Sequence, residues 1–161
     1  VRFFNVNDKA SQLTPKLLQF VEQGGNLIVQ YNTSYRLKTK EFYPYPLKLS
    51  RDRVTEEDAV VTFLMPNHPV LNSPNKLTKH DFDGWVQERG LYFCSDWDEK
   101  FTPILSSKDP GESPKNGGLL VARHGAGYYI YSGYSWFREL PAGVEGAYRI
   151  FTNLISVGED S

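Results

Sequence analysis

Gly24-Gly25-Asn26-Leu27-Ile28-Val29-Gln30-Tyr31-Asn32-Thr33-Ser34 is the stretch on which the fold turns. Two glycines end a helix, Leu27 to Gln30 forms a short buried strand, and a polar turn follows at the strand's carboxyl end. Upstream, Thr14-Pro15 reads as an N-cap with proline at the first helical position, and Leu17, Leu18, Phe20 and Val21 keep the spacing of one apolar helix face. Val1 to Asn5 reads as a strand ahead of it. Strand, helix and strand within about 30 residues make a βαβ unit, with parallel strands and a right-handed crossover. In open α/β sheets, ligands and catalytic groups gather where the strands end. The turn at that place carries Gln30, Tyr31 and Asn32, with no Cys, no His and no Gly-x-Ser-x-Gly elbow.

Beyond Ser34 the character changes. Residues 35–58 read as an irregular surface excursion: Glu41-Phe-Tyr-Pro-Tyr-Pro-Leu47 cannot be a central strand, and an edge strand is expected only near Leu47. Arg51-Asp-Arg53 and Glu56-Glu-Asp58 read as solvated charge clusters. Ala59 to Leu64 is a strand, broken by Met65-Pro-Asn-His-Pro69. Val86 to Phe93 is ambiguous, with a strand favoured for Leu91 to Phe93, and Phe101 to Leu105 is a further candidate strand. Gly118 to Arg123 and Tyr128 to Ser132, joined by His124-Gly-Ala-Gly127, give a hairpin signal. Glu145 to Ile155 closes the chain as a helix, with Ala147, Ile150, Phe151, Leu154 and Ile155 predicted to face inward.

At 161 residues the chain is long enough for one domain that buries about 70% of its unfolded surface. A net charge of −1 leaves no basic footprint for nucleic acid, and no apolar run reaches the roughly 18 residues of a membrane span. One cysteine, Cys94, excludes an internal disulfide and a cysteine-based zinc site. The chain begins at Val1 in what reads as strand, so the expectation is a piece of a longer polypeptide, N-terminally truncated within its sheet. Such a piece would leave a sheet edge exposed, and exposed edges pair with other chains, so a homodimer through that edge is expected.

Four stretches carry a family likeness: Leu17 to Thr33 with its Gly24-Gly25, His68-Pro-Val-Leu-Asn72, Asp81-Phe-Asp-Gly-Trp-Val-Gln-Glu-Arg-Gly-Leu-Tyr-Phe93, and Gly118 to Tyr134 with its closing helix. In order and spacing they resemble the class I glutamine amidotransferase-like domains of the trehalose-utilisation (ThuA-like) branch. More narrowly, they resemble the region that some bacterial PIG-L (LmbE-like) deacetylases carry C-terminally. The resemblance implies an α/β fold with a flavodoxin-like, mostly parallel sheet flanked by helices and an antiparallel hairpin at one edge. It also implies a deacetylase domain elsewhere in the polypeptide as partner, and favours an extracytoplasmic over a cytoplasmic bacterial setting. Two departures matter. Where catalytic members place a cysteine after the strand, this chain has Tyr31, and where they place a histidine it has Tyr134-Ser135. Thiolate chemistry needs both groups, so glutaminase activity is not expected. No His-Pro-Asp-Asp-like zinc cluster is present, and His68, His80 and His124 are scattered, so no metal or other cofactor is expected.

Three groups of residues are candidates for a ligand site. Gln30, Tyr31 and Asn32 suit hydrogen bonding and stacking on a sugar, or else cap the next segment. Tyr134, Trp136 and Arg138 follow the last sheet strand and either face the same corner or seal the core. Asp83, Trp85, Glu88 and Arg89 hold a carboxylate pair that could act on a glycosidic bond, or form a structural ion pair. Three functional expectations follow: a non-catalytic accessory domain that binds a saccharide or positions a deacetylase, a glycan hydrolase using Asp83 and Glu88, or a purely structural interdomain module.

Overall fold

A computed structural model of the chain describes residues 1–159. Its helices are α1 (Phe3–Val6), α2 (Ala10–Glu22), α3 (Trp136–Glu139) and α4 (Glu145–Ser156). Its strands are β1 (Asn26–Gln30), β2 (Leu47–Val54), β3 (Val60–Phe63), β4 (Gly90–Trp97), β5 (Thr102–Pro103), β6 (Leu105–Lys108), β7 (Leu119–His124) and β8 (Gly127–Ser132). The main sheet runs β1-β8-β7-β5. β1 lies parallel to β8, Asn26 opposite Tyr128 through Gln30 opposite Ser132, while β8–β7 and β7–β5 are antiparallel. Two antiparallel ribbons, β2–β4 and β3–β6, complete the β structure. The fold is α/β, a mixed sheet with helices on both faces and the predicted hairpin inside it.

Alternation along the hairpin builds two cores. Leu119, Val121 and Ile130 face one side, where Trp85, Phe93, Tyr134, Trp136, Ile150 and Leu154 are buried. Leu120, Ala122, Tyr129 and Tyr131 face the other, against Phe4, Val21, Val29 and Phe42. Each such aliphatic side chain contributes about 1.5–3 kcal/mol on burial. α4 covers the first face and α2 the second. Gly24, at φ 115, ends α2 as the sequence predicts, with Gly25 N–H donating to the Phe20 carbonyl at 2.9 Å.

Several local expectations are corrected. Val1 to Asn5 is not a strand. A single ladder rung, Arg2 N–H to the Gln30 carbonyl at 2.9 Å, is followed by a left-handed Arg2 (φ 56) and the turn α1. That turn drops the Phe4 ring onto Phe42, with centroids 4.8 Å apart, which an extended chain alongside β1 would not do. Thr14 is not an N-cap, because α2 starts at Ala10 and carries Pro15 inside it. The cost is small here: the carbonyl that loses its donor belongs to Ser11 on the wet face, and Thr14 Oγ1 donates to the Ala10 carbonyl at 2.7 Å. Residues 47–54 are a full strand, because Leu47, Leu49 and Val54 find a core while the charges between them stay at the surface. Ile155 does not face inward. It is 53% exposed on the flank of α4, and Phe151 is half-buried.

Among the described residues no strand pairs with the outer edge of β1. The Tyr31 N–H donates to Ser132 and the Gly25 carbonyl accepts from Tyr128, so odd-numbered residues bond inward and Ile28 turns its backbone polar groups outward. Phe20 of α2 and Ile155 of α4 are each 53% exposed near the start of β1, the Phe20 ring against Gly25 and the Ile155 carbonyl accepting from Asn26 Nδ2 at 2.9 Å.

Candidate functional site

β1 ends in a sharp turn at Tyr31. Its N–H keeps the ladder by donating to the Ser132 carbonyl at 2.9 Å, while φ swings to 54. A non-glycine residue in this region costs about 1–2 kcal/mol, so the surroundings must hold it. Asn32 does so from beneath. Fully buried, its Oδ1 accepts from Phe4 N–H at 3.1 Å and its Nδ2 donates to the Gln30 carbonyl at 3.2 Å. Asn5 of α1 answers it: Oδ1 accepts from Thr33 N–H at 2.8 Å, and Nδ2 donates to the carbonyls of Thr33 and Tyr35, both at 3.2 Å. The two amides therefore close the floor of the strand-end corner and are spent on backbone.

Above that floor the side chains converge. Tyr31 donates its hydroxyl to Glu88 Oε1 at 2.9 Å, and Arg138 Nε donates to the same oxygen at 3.1 Å. Arg138 Nη1 also donates to Gln87 Oε1 at 3.0 Å. Tyr31 meets the edges of Tyr92 and Phe137, with centroids at 5.2 and 4.7 Å, and the Arg138 guanidinium lies 5.0 Å from the Phe137 ring. Positive φ at non-glycine residues occurs among the described residues at Arg2, Tyr31, Arg36, Gln87 and Tyr92, and all but Arg36 belong to this corner. Backbone strain of this kind concentrates at functional sites.

Burial first, then the Glu88 carboxylate, pushes the Tyr31 phenol up to about 12, with Arg138 pulling the other way. Tyr31 is thus a neutral donor at physiological pH, not a base. Because the folded value lies above the ordinary 10, this group favours the folded state below pH 10 and that contribution is lost as pH rises toward 12. Urea unfolding at pH 9 and pH 11.5 should show the parent chain losing more stability than Tyr31→Phe between the two. Equal losses would mean that Tyr31 titrates normally.

The other predicted residues divide. Glu88 and Arg138 join Tyr31, whereas Gln30 contributes its carbonyl to Arg2. Tyr134 and Trp136 are corrected: both are fully buried, with Tyr134 Oη 2.6 Å from Ser107 Oγ and Trp136 Nε1 donating to Ser132 Oγ at 2.8 Å. Trp85 stacks on Phe82 at 5.5 Å in the same core. Tyr134 and Trp136 seal the interior, while Trp85 and Arg89 back a separate surface cleft with Asp83 and Glu56. Arg89 is buried as well, donating to the carbonyls of Ala59 and Phe82. It is not paired with its neighbour Glu88. Asp83 sits at the surface 3.1 Å from His80 Nδ1, so the two carboxylates of the proposed pair have separate partners. Glu139 is fully buried and orders the 85–88 loop by accepting from Val86 N–H at 2.5 Å and Ser135 Oγ at 3.0 Å.

The corner also holds Tyr35, Tyr92, Phe137, Arg2 and Arg51, none of them singled out from sequence. Their positions depend on left-handed turns and a bulge that leave no mark in residue type. Among the described residues the corner holds neither cysteine nor histidine. Cys94 is buried in the second core, where desolvation pushes its thiol well up. His68 Nδ1 caps the Pro69–Leu71 turn by accepting from Val70 N–H, and His124 stands edge-on to Tyr45. Among the described residues no three His, Cys, Asp or Glu side chains converge on a metal-sized space, and no helix is long and apolar enough to cross a membrane.

Comparison with known proteins adds a fold and little else. No family model matches the chain, and no curated protein matches it. A solved structure does. The cytoplasmic protein STM3548 from Salmonella typhimurium superposes with a TM-score of 0.56 at 15% identity, over 96% of this chain and 65% of that one. The chain therefore spans just under two thirds of that structure's length, and the likeness carries the α/β architecture alone.

Proposed function

We propose that this chain is a non-catalytic, amidotransferase-like accessory domain of a PIG-L-type deacetylase polypeptide, and that it binds a saccharide at the strand-end corner. The observation that carries the reading is Tyr31: a strained, left-handed residue at the end of a sheet strand, whose hydroxyl donates to a Glu88 carboxylate that Arg138 also holds. Strand ends of α/β sheets are where ligands bind. The polar groups and aromatic rings here are of the kind that orient sugars. The deacetylase context rests on the family resemblance of the four sequence stretches. In this reading the outer edge of β1, with Phe20 and Ile155 beside it, is the surface that meets the rest of the polypeptide.

A glycan hydrolase built on Asp83 and Glu88 fits less well, since Asp83 faces His80 and Glu88 is neutralised by Arg138. A structural module stays in competition, because α1 fills the floor of the corner. A thermal-shift screen against mono- and oligosaccharides separates the two. A ligand at 100 times its dissociation constant adds about 2.7 kcal/mol, a shift of roughly 5–11 °C. Binding should be lost in Tyr35→Ala, which removes a 45% exposed ring without touching the core. A flat screen on well-folded protein would leave the scaffold reading standing.

A further inference from the structure

The ribbon beside the corner is built irregularly on both strands. In β2, Leu49 pairs with Cys94 and Asp52 with Phe93, so Ser50 and Arg51 bulge out without opposite residues. In β4, Phe93 pairs with Asp52 and Leu91 with Arg53, so Tyr92 bulges in turn, at φ 60. Bulges re-aim side chains and are frequent beside active sites. Both are held from the interior. The buried Tyr131 hydroxyl donates to the Tyr92 carbonyl at 2.5 Å, and Ser50 Oγ donates to the Phe93 carbonyl at 2.6 Å. The result turns Tyr92 onto Tyr31 and lays the Arg51 guanidinium 5.0 Å from the Tyr35 ring.

Arg2 completes the arrangement from the other side, left-handed itself and bonded through its N–H to Gln30. Burial and a hydrogen bond with Tyr35 keep the Tyr92 phenol protonated, against the pull of Arg2 and Arg51. Among the described residues neither arginine has a carboxylate within ion-pair distance, whereas Glu88, the acid of the corner, is already taken by Arg138. Two guanidinium groups without a carboxylate partner act on the Tyr92 phenol, one of them stacked on Tyr35, and guanidinium groups pair readily with a planar or tetrahedral anion.

The geometry points to an acidic saccharide as the ligand, its ring against Tyr35 and its carboxylate or phosphate held by Arg2 and Arg51. This rests on the preceding reading that the corner binds a sugar, and it names the class of sugar. Calorimetric titration of the chain with glucuronate, glucose 6-phosphate, glucose and inorganic phosphate tests it, at about 50 mM and about 500 mM salt, where screening differs several-fold in range. The expected result is one or both charged sugars binding about tenfold tighter than glucose at low salt and losing that margin at high salt. The two charged arms tell carboxylate from phosphate. Arg51→Gln, at an exposed position, should bring the charged sugar down to the affinity the same variant shows for glucose. Arg2→Gln should act in the same direction. Glucose binding as tightly as its charged relatives, or an Arg51→Gln protein binding like the parent, would overturn the acidic-ligand inference while the corner stays a sugar site. Inorganic phosphate matching glucose 6-phosphate would overturn it as well, by removing the sugar's part. Failure of every probe would overturn both the inference and the reading beneath it.

Discussion

Gly146→Ala should lower the melting temperature by roughly 6–12 °C, the equivalent of about 3 kcal/mol in a chain of this size. Gly146 lies in the first turn of α4, where that helix crosses the Lys79–Phe82 turn. A Cβ there would stand 1.7 Å from the Asp81 carbonyl oxygen and 2.4 Å from its Cα. The obstacle is backbone, so no rotamer relieves it. Moving Asp81 away breaks more than a contact, because its side chain accepts from Arg149 Nε at 2.7 Å and from Thr78 N–H at 2.8 Å. The change therefore parts the turn from the helix as a unit. Circular dichroism melts of the two proteins read it directly, and a shift within about 2 °C would show that the helix and turn can slide apart cheaply.

Arg89→Met should cost about 3 kcal/mol for a different reason. Arg89 is 4% exposed, and its partners are carbonyls: Nε and Nη2 donate to Ala59 at 3.0 and 2.8 Å, and Nη1 donates to Phe82 at 2.6 Å. Its guanidinium also lies 5.2 Å from the Trp85 ring. Methionine fills much of the same volume, so cavity formation is minor. Two buried acceptors are left without donors, at about 1–3 kcal/mol each. Relief from burying a charge works against this, and burial does pull the Arg89 guanidinium downward. Urea unfolding decides which wins. A Met variant as stable as the parent would mean that desolvation of the guanidinium outweighs the carbonyls it serves.

The main elements were legible where local signals agree with packing. Gly24-Gly25 ends a helix, Leu27 to Gln30 is a strand, and His124-Gly-Ala-Gly127 closes a hairpin in the structure as in the sequence. Depth was not legible. Tyr134 and Trp136 follow a strand in a segment rich in charge, and residue type alone cannot say whether such rings face water or fill a core. Val1 to Asn5 has the composition of a strand, and only the demand of Phe42 for the Phe4 ring, with the Asn5–Thr33 bonding, makes it a helical turn. The candidate site was half visible. Residue type and place mark Tyr31, Glu88 and Arg138, but Arg51 reads as part of a solvated cluster, since a bulge depends on register between two strands distant in sequence.

The free outer edge of β1 bears on how the molecule behaves among its own kind. Neither lysine nor proline occurs between Asn26 and Gln30, so the residues that commonly discourage one strand from adding to another are missing from this edge. Ile28 turns its N–H and C=O to that side, so an added strand would find both bonds on offer. Were such a strand to come from a second copy, concentration would set the proportion of single chains, and light scattering across a dilution series reads that proportion.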